Sequence, residues 1–214
     1  MLLHLGLDAA TGGGAAREAN TLRSKRDSMR ALGSSLPPSA VLLTPNKLHS
    51  PPARRALVVA NGAYASAPLR NALHDGEDIA AALERMGFDT ITFVNDVDSE
   101  TFASTVDTFH DCLHERDAAF FFFAGHGIEY GSQNWLLGTN AAANDDERAL
   151  QRKAVSAQYV LKGMEEKRCL FNVLILDCCR EWVSTTRSIR RGLGEMRAPE
   201  GSYIAFACAP GELA

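Results

Sequence analysis

Short apolar runs alternate with amphipathic segments from residue 54 onward. The run at Ala118–Ala124 is apolar throughout, which is typical of a strand that is covered on both faces. Four further runs of similar length are bounded by turn residues, and they also predict strands. The five predicted strands are Ala56–Ala60, Thr90–Val94, Ala118–Ala124, Asn172–Leu176 and Ser202–Ala207.

Between these runs, apolar residues recur at helical spacing. Helices are predicted at Asp78–Met86, at a segment capped by Asp98 or Ser99, and at Val155–Lys167. The inward-facing residues of the last two helices are Phe102, Val106, Phe109, Leu113, Val160, Leu161 and Met164. Residues 128–137 resemble a hairpin around Gly131 and Ser132. Strands that alternate with helices predict an α/β three-layer sandwich, with a mainly parallel sheet between two layers of helices.

Residues 1–53 differ from the rest of the chain. They contain three consecutive glycines, two Pro-Pro pairs and little apolar periodicity, so they are predicted to be a disordered or low-complexity N-terminal tail. Residues 54–214 are predicted to form one domain. The triple glycine is not a phosphate loop, because no Gly-Lys-Ser/Thr follows it.

Charge and cysteine content narrow the function classes. The net charge is −4, and residues 1–53 carry six basic and three acidic residues, which leaves about −7 on the predicted domain. An acidic domain disfavours nucleic acid as a partner and suits a cationic substrate. The five cysteines show no zinc-ligand spacing, and they suggest free thiols in the cytoplasm. No apolar run is long enough to span a membrane, so we expect no membrane partner.

Reactive side chains lie at the ends of two predicted strands. His126 follows one strand between Gly125 and Gly127, and Cys178 and Cys179 follow another. Carboxyl ends of parallel strands meet at one edge of a sheet, so an imidazole and a thiol can come together there. The Gly127 N–H could bind an oxyanion. Adjacent strand residues face opposite sides, so only one of the two cysteines should face the site, and spacing alone does not choose between them.

Each of these residues also has a plainer interpretation. A histidine at a strand end can be a polar residue satisfied by the backbone, and two adjacent cysteines can be small core residues. The flanking glycines and the apolar strand favour the catalytic interpretation for His126, since glycine allows a sharp turn that leaves the imidazole accessible.

Several motifs together resemble the caspase-like cysteine peptidases, in particular the metacaspase, paracaspase and bacterial caspase-like branch. They occur in the family's order over about three quarters of the chain. The matching segments span residues 56–64, 69–75, 123–127, 134–137, 176–180 and 201–211.

The resemblance implies specific roles. The family's nucleophile is the last residue of an Asp-x-Cys string, which is Cys179 here, and the base is His126. Asp177 and Asp75 match acidic residues that bind an Arg or Lys side chain before the cut bond. Two carboxylates in a narrow pocket suit a guanidinium, although Asp75 could instead cap a helix and Asp177 could form a strand-end turn. Gly127 and Cys179 would supply the oxyanion donors.

The expected function is therefore cysteine-type endopeptidase activity on protein or peptide substrates, with no catalytic metal. Some family members need calcium, and the acidic segment 144–147 could bind it, although a solvated turn also explains that segment. The Arg-rich loop of residues 181–201 suggests self-processing. Domains of this family extend beyond the last predicted strand, so the resemblance implies that their C-terminal part is missing here. The alternative is a caspase-like scaffold or regulatory module that lost activity through this truncation. The oligomeric state is not predicted.

Overall fold

The structure is a computed structural model that describes residues 52–179 and 190–207. Apart from residues 52 and 53, the predicted N-terminal tail lies outside the described residues. The first nine residues of the predicted self-processing loop, residues 181–189, also lie outside them.

The centre of the domain is a parallel sheet of five strands in the order β2-β1-β3-β6-β8. A second, antiparallel group of strands continues from the C-terminal part of β3. This part pairs with β4 and β7, and β4 also pairs with β5. The strands are β1 Arg54–Ala60, β2 Thr90–Asn95, β3 Ala118–Tyr130, β4 Gln133–Leu137, β5 Ala154–Ser156, β6 Phe171–Cys179, β7 Arg190–Arg191 and β8 Ser202–Phe206.

Helices cover both faces of the parallel sheet. Helix α1 packs on one face, and α2 and α4 pack on the other. The helices are α1 Ala72–Arg85, α2 Ser99–Cys112, α3 Glu147–Arg152 and α4 Ala157–Glu166. The predicted three-layer α/β sandwich is therefore confirmed.

Most of the predicted elements are confirmed, and their inward-facing residues are buried. Asp98 caps α2, since its side chain accepts a hydrogen bond from the Thr101 N–H at 2.8 Å. All seven residues predicted to face inward from α2 and α4 are buried. The hairpin turns at Gly131 and Ser132, which both have φ near +60°. Two consecutive positive φ values define the type I′ turn that favours a tight hairpin.

Several boundaries differ from the prediction. Strand β6 continues three residues past its predicted end at Leu176, so that Cys178 and Cys179 lie within it, and Val155 lies in β5 and not in the last helix.

Two further boundaries differ by six residues. Helix α1 begins at Ala72, six residues before the predicted start. Strand β3 runs through the Gly-His-Gly segment to Tyr130 and does not end at Ala124. Glycine usually weakens a strand, but here strands on both edges of β3 supply hydrogen-bond partners beyond Ala124. Helix α3 and the short strands β5 and β7 were not predicted from the sequence.

Candidate active site

His126 and Cys179 are direct partners in the sheet. Strands β3 and β6 pair in parallel from Ala118↔Phe171 to His126↔Cys179, so the two residues form the last pair of this ladder. Side chains of directly opposed strand residues lie on the same face of a sheet. The register therefore brings the predicted base and the predicted nucleophile to neighbouring backbone positions where the parallel pairing of the two strands ends.

The neighbouring Cys178 lies on the other face of the sheet. It is 6% exposed and belongs to the core cluster that contains Phe123 and Leu176, against α2 and α4. Its register partner is Gly125. The sequence left two candidate nucleophiles, and the alternation of β6 separates Cys178 from the face of His126.

The His126 imidazole is held by a backbone carbonyl. Its Nε2 lies 2.7 Å from the carbonyl oxygen of Ala67, and the residue is fully buried. A carbonyl can only accept a hydrogen bond, so Nε2 carries the hydrogen, and a neutral ring then has its lone pair on Nδ1. The nitrogen that could take up a proton is therefore Nδ1.

The glycines that flank His126 serve packing. The prediction that a sharp turn at them leaves the imidazole accessible is wrong, because the strand continues and His126 is fully buried. A Cβ at Gly125 would lie 2.6 Å from the Phe123 ring and 2.8 Å from the Tyr64 hydroxyl. A Cβ at Gly127 would lie 2.6 Å from Leu193 and 2.9 Å from the Cys178 sulfur. Both glycines thus allow close packing on the face opposite the imidazole while the strand continues.

The Gly127 N–H points towards the β6 edge of β3. The His126 N–H donates to the Tyr64 hydroxyl at 3.1 Å on the other edge, where β1 and β4 lie. Successive N–H groups of a strand point to opposite edges. The register of the β3–β4 hairpin gives the same result. Hydrogen-bonded and non-hydrogen-bonded pairs alternate from the tight turn at Gly131, and Gly127 and Leu136 form a pair that exchanges no hydrogen bonds. The Gly127 N–H therefore points away from β4. It faces the β6 backbone in the ladder, and its role as an oxyanion donor stays a prediction.

A cavity of about 200 Å³ lies beside this strand end. Asp75 and Asp177 both line it, as do residues of the segment that leads into α1. The full lining is Leu69, Arg70, Asn71, Ala72, Asp75, Ala124, Gly125 and Asp177. The structure therefore brings together the two carboxylates that were predicted to form a substrate pocket.

Neither carboxylate has the plainer role that the sequence also allowed. Asp75 lies in the first turn of α1, but Asn71 occupies the N-cap position, and that cap has no side-chain hydrogen bond. Asp177 lies inside β6 and not in a turn. Burial raises the pKa of Asp177, and the negative charge of Asp75 raises it further. The cavity thus has an acidic wall that a cation would stabilise.

The acidic segment 144–147 is engaged in structural contacts. Both oxygens of Asp145 lie 2.8 Å from the Lys153 ammonium, and the Asp146 side chain caps α3. Within the part of the chain that the structure describes, no group of three or more His, Cys, Asp or Glu residues could hold a metal ion.

The sequence did not predict the residues that hold His126. Tyr64 and Ala67 lie about 60 positions away in the chain, and one of them acts through its backbone carbonyl, which no side-chain pattern reveals. The only available signal was that Tyr64 belongs to the segment 56–64 that matches the family.

The fold and the site define a class of protein. It is an α/β sandwich in which a histidine and a cysteine are paired on adjacent parallel strands, an arrangement that suits a cysteine nucleophile with a histidine base. The comparisons with known proteins agree, since the family model for the caspase domain matches residues 53–214. The chain belongs to this family of peptidases.

The other comparisons are less informative. One matching solved structure is a protein from Geobacter sulfurreducens with 18% sequence identity and a TM-score of 0.43. The match covers 61% of this chain and about half (52%) of that one. No curated protein matches. Among the described residues, no helix is both long and apolar enough to cross a membrane.

Proposed function

We propose that this chain is a cysteine endopeptidase that uses Cys179 as the nucleophile and His126 as the base. The observation that carries the proposal is the direct pairing of these residues at the end of the β3–β6 ladder, beside a cavity with two carboxylates. A thiol beside an imidazole gives the thiolate that attacks a carbonyl carbon. Protein or peptide chains are the proposed substrates.

The reaction proceeds through an acyl-thioester. His126 takes the thiol proton on Nδ1 as the Cys179 sulfur bonds to the carbonyl carbon. The N–H groups of Gly127 and Cys179 stabilise the oxyanion. When the C–N bond breaks, the imidazolium gives its proton to the leaving amine, and the Ala67 carbonyl keeps the ring in place meanwhile. Water then hydrolyses the thioester, releasing the acid and the free thiol.

The proposed specificity is for Arg or Lys before the cut bond. Asp75 and Asp177 line the cavity, and a guanidinium can donate two hydrogen bonds to one carboxylate while a second carboxylate balances its charge. A bound cation stabilises the ionised form of Asp177, which burial and the Asp75 charge otherwise disfavour.

The proposed location is the cytoplasm. Among the described residues, Cys112 and Cys169 are free thiols, and such thiols persist in a reducing compartment.

Fluorogenic peptides ending in Arg, Lys or Asp test the proposal, with and without calcium. We expect cleavage after Arg and Lys by the wild type and by Cys178→Ala, and none by Cys179→Ala. Cleavage after Asp would keep the nucleophile and overturn the pocket assignment. Folded wild-type protein that cleaves no peptide in either condition would favour a non-catalytic module.

A further inference from the structure

One edge of β3 has a gap at His126. On this edge β1 pairs with β3 as far as Ala124, whose carbonyl accepts the Asn61 N–H at 2.8 Å. Strand β4 takes over at Gly127. His126 therefore lies between the end of one neighbouring strand and the start of the next. A buried backbone N–H in such a gap needs an acceptor from elsewhere in the chain.

The Tyr64 hydroxyl bridges this gap. It accepts a hydrogen bond from the His126 N–H at 3.1 Å and donates one to the Leu137 carbonyl at 2.9 Å. Leu137 is the last residue of β4, and Tyr64 is 2% exposed. One hydroxyl thus performs the two hydrogen-bonding tasks, accepting and donating, that a strand backbone would perform at this position.

The Tyr64 ring also contacts the imidazole. The two ring centroids are 4.5 Å apart, with the planes tilted by 58°. The approach depends on Gly125, because a Cβ there would lie 2.8 Å from the Tyr64 hydroxyl. Burial raises the pKa of Tyr64, so the hydroxyl keeps its proton for Leu137 at neutral pH.

Tyr64 and the acceptor of the imidazole belong to the same short loop. Ala67 lies three residues after Tyr64, and its carbonyl oxygen accepts the Nε2 hydrogen of His126. The loop is itself anchored, since Asp96 accepts hydrogen bonds at 2.8 Å from the N–H groups of both Gly62 and Ala63. A single anchored loop therefore holds both the backbone and the ring of His126.

We infer that Tyr64 is a positioning residue for catalysis, which fixes the His126 backbone and with it both the direction of the imidazole and that of the Gly127 N–H. The inference rests on the proposed function. The peptide group before His126 carries the His126 N–H, which Tyr64 holds. The peptide group after it carries the Gly127 N–H, which is proposed to bind the oxyanion. Rotation of this backbone would misplace the base and the oxyanion donor together, while leaving the substrate pocket at Asp75 and Asp177 in place.

The test compares Tyr64→Phe with Tyr203→Phe, which removes the same hydroxyl from an exposed residue of β8. We expect kcat for an Arg peptide to fall by roughly 10- to 100-fold in Tyr64→Phe, because small misplacements of catalytic groups have effects of this size. KM should stay within about twofold, because the pocket is unchanged. The control should match the wild type. A folded Tyr64→Phe protein with wild-type kcat would overturn the inference, and so would an increase in KM alone.

Hydrogen exchange of the His126 amide gives a readout that does not depend on activity. We expect this amide to be protected in the wild type and to exchange faster in Tyr64→Phe, while equal exchange in the two proteins would overturn the anchoring role. If the wild type cleaves no peptide, the proposed function fails and the exchange experiment still decides what Tyr64 does. If Tyr64→Phe does not fold, 3,5-difluorotyrosine at position 64 keeps the ring but weakens the hydroxyl as an acceptor. Faster exchange of the His126 amide then supports the inference, and unchanged exchange overturns it.

Discussion

Asp75 on α1 and Asp177 on β6 line the same cavity, and the charge of Asp75 helps to raise the pKa of Asp177. The two residues are about a hundred positions apart in the chain, and α1 packs against the sheet so that its first turn reaches the end of β6. Burial is the larger cause of the shift. A carboxyl in this state binds either a proton or a cationic side chain, so proton binding and substrate binding should compete.

The first prediction concerns KM for Arg peptides at low pH. Below the raised pKa of Asp177 the carboxyl is neutral and no longer attracts a guanidinium, so KM should rise as pH falls through that value. Asp75→Asn removes the neighbouring negative charge, which lowers the pKa of Asp177, and the midpoint of the KM profile should move to lower pH. Asp78→Asn, which removes the same charge from the exposed side of α1, should leave the midpoint unchanged. Midpoints that agree in all three proteins would contradict the assignment of the KM profile to Asp177 with Asp75 as its charged neighbour.

The second prediction separates stability from activity at Asp177. A carboxyl whose folded-state pKa is raised destabilises the fold when it is ionised, so Asp177→Asn should increase the free energy of unfolding at pH 8. The gain should be below about 1 kcal/mol, because a half-exposed charge is screened by water. It should shrink as pH falls through the raised pKa, where the wild-type carboxyl becomes neutral. Urea unfolding at pH 8 and pH 5 measures both values.

The same variant should lose activity. Without the Asp177 charge, kcat/KM for an Arg peptide should fall by roughly 100-fold, the scale for removing one partner of a close charge pair. Opposite effects on stability and activity are expected of a carboxylate that is retained for binding. A stable variant with unchanged kcat/KM would show that Asp177 does not bind the substrate.

The third prediction distinguishes the two adjacent cysteines. Cys178→Ala should keep most of the activity and lose about 1 kcal/mol of stability, because it truncates a buried side chain in the core cluster. Cys179→Ala should lose activity completely. Iodoacetamide followed by mass spectrometry should label residue 179 first in the folded wild type. Faster labelling of Cys178 would reverse the assignment.

The fourth prediction concerns the segment that follows β7. The buried Asn134 side chain donates to the Gly194 carbonyl at 2.8 Å and accepts from the Gly194 N–H at 2.7 Å. Asn134→Ala breaks both bonds and should cost roughly 2–3 kcal/mol, since each leaves a polar group unsatisfied. Asn95→Ala, at the exposed end of β2, should cost less than about 0.5 kcal/mol. Equal losses of unfolding free energy in the two variants would argue against a specific contribution of the hydrogen bonds between Asn134 and Gly194.

The fifth prediction is self-processing. Arg187 lies outside the described residues, whereas Arg197 is exposed and follows Gly194, which Asn134 holds by two hydrogen bonds. If the wild type cleaves after Arg, fragments should appear during incubation and be absent from Cys179→Ala. Mass spectrometry of the fragments would identify the arginine. Fragments that form equally in both proteins would exclude self-cleavage.

Local pattern was sufficient for most secondary structure. The stripe of Phe102, Val106 and Phe109 and a cap at Asp98 or Ser99 depend only on residues within a few turns of the same helix. The structure has the stripe as predicted and selects Asp98 as the cap. The hairpin at Gly131 likewise follows from its own turn. The end of β3 did not follow, because the pairing that extends it comes from strands that are distant in the sequence.

The sequence by itself determined the α/β class and placed the histidine and cysteine motifs on two of its central strands. The tertiary structure decided the register that pairs His126 with Cys179, the burial of Cys178 on the opposite face, and the cavity shared by Asp75 and Asp177. It also decided that Tyr64 and Ala67 hold the histidine. These are contacts between segments 50 to 100 residues apart, and they arise when the sheet closes and each buried polar group must find a partner across it.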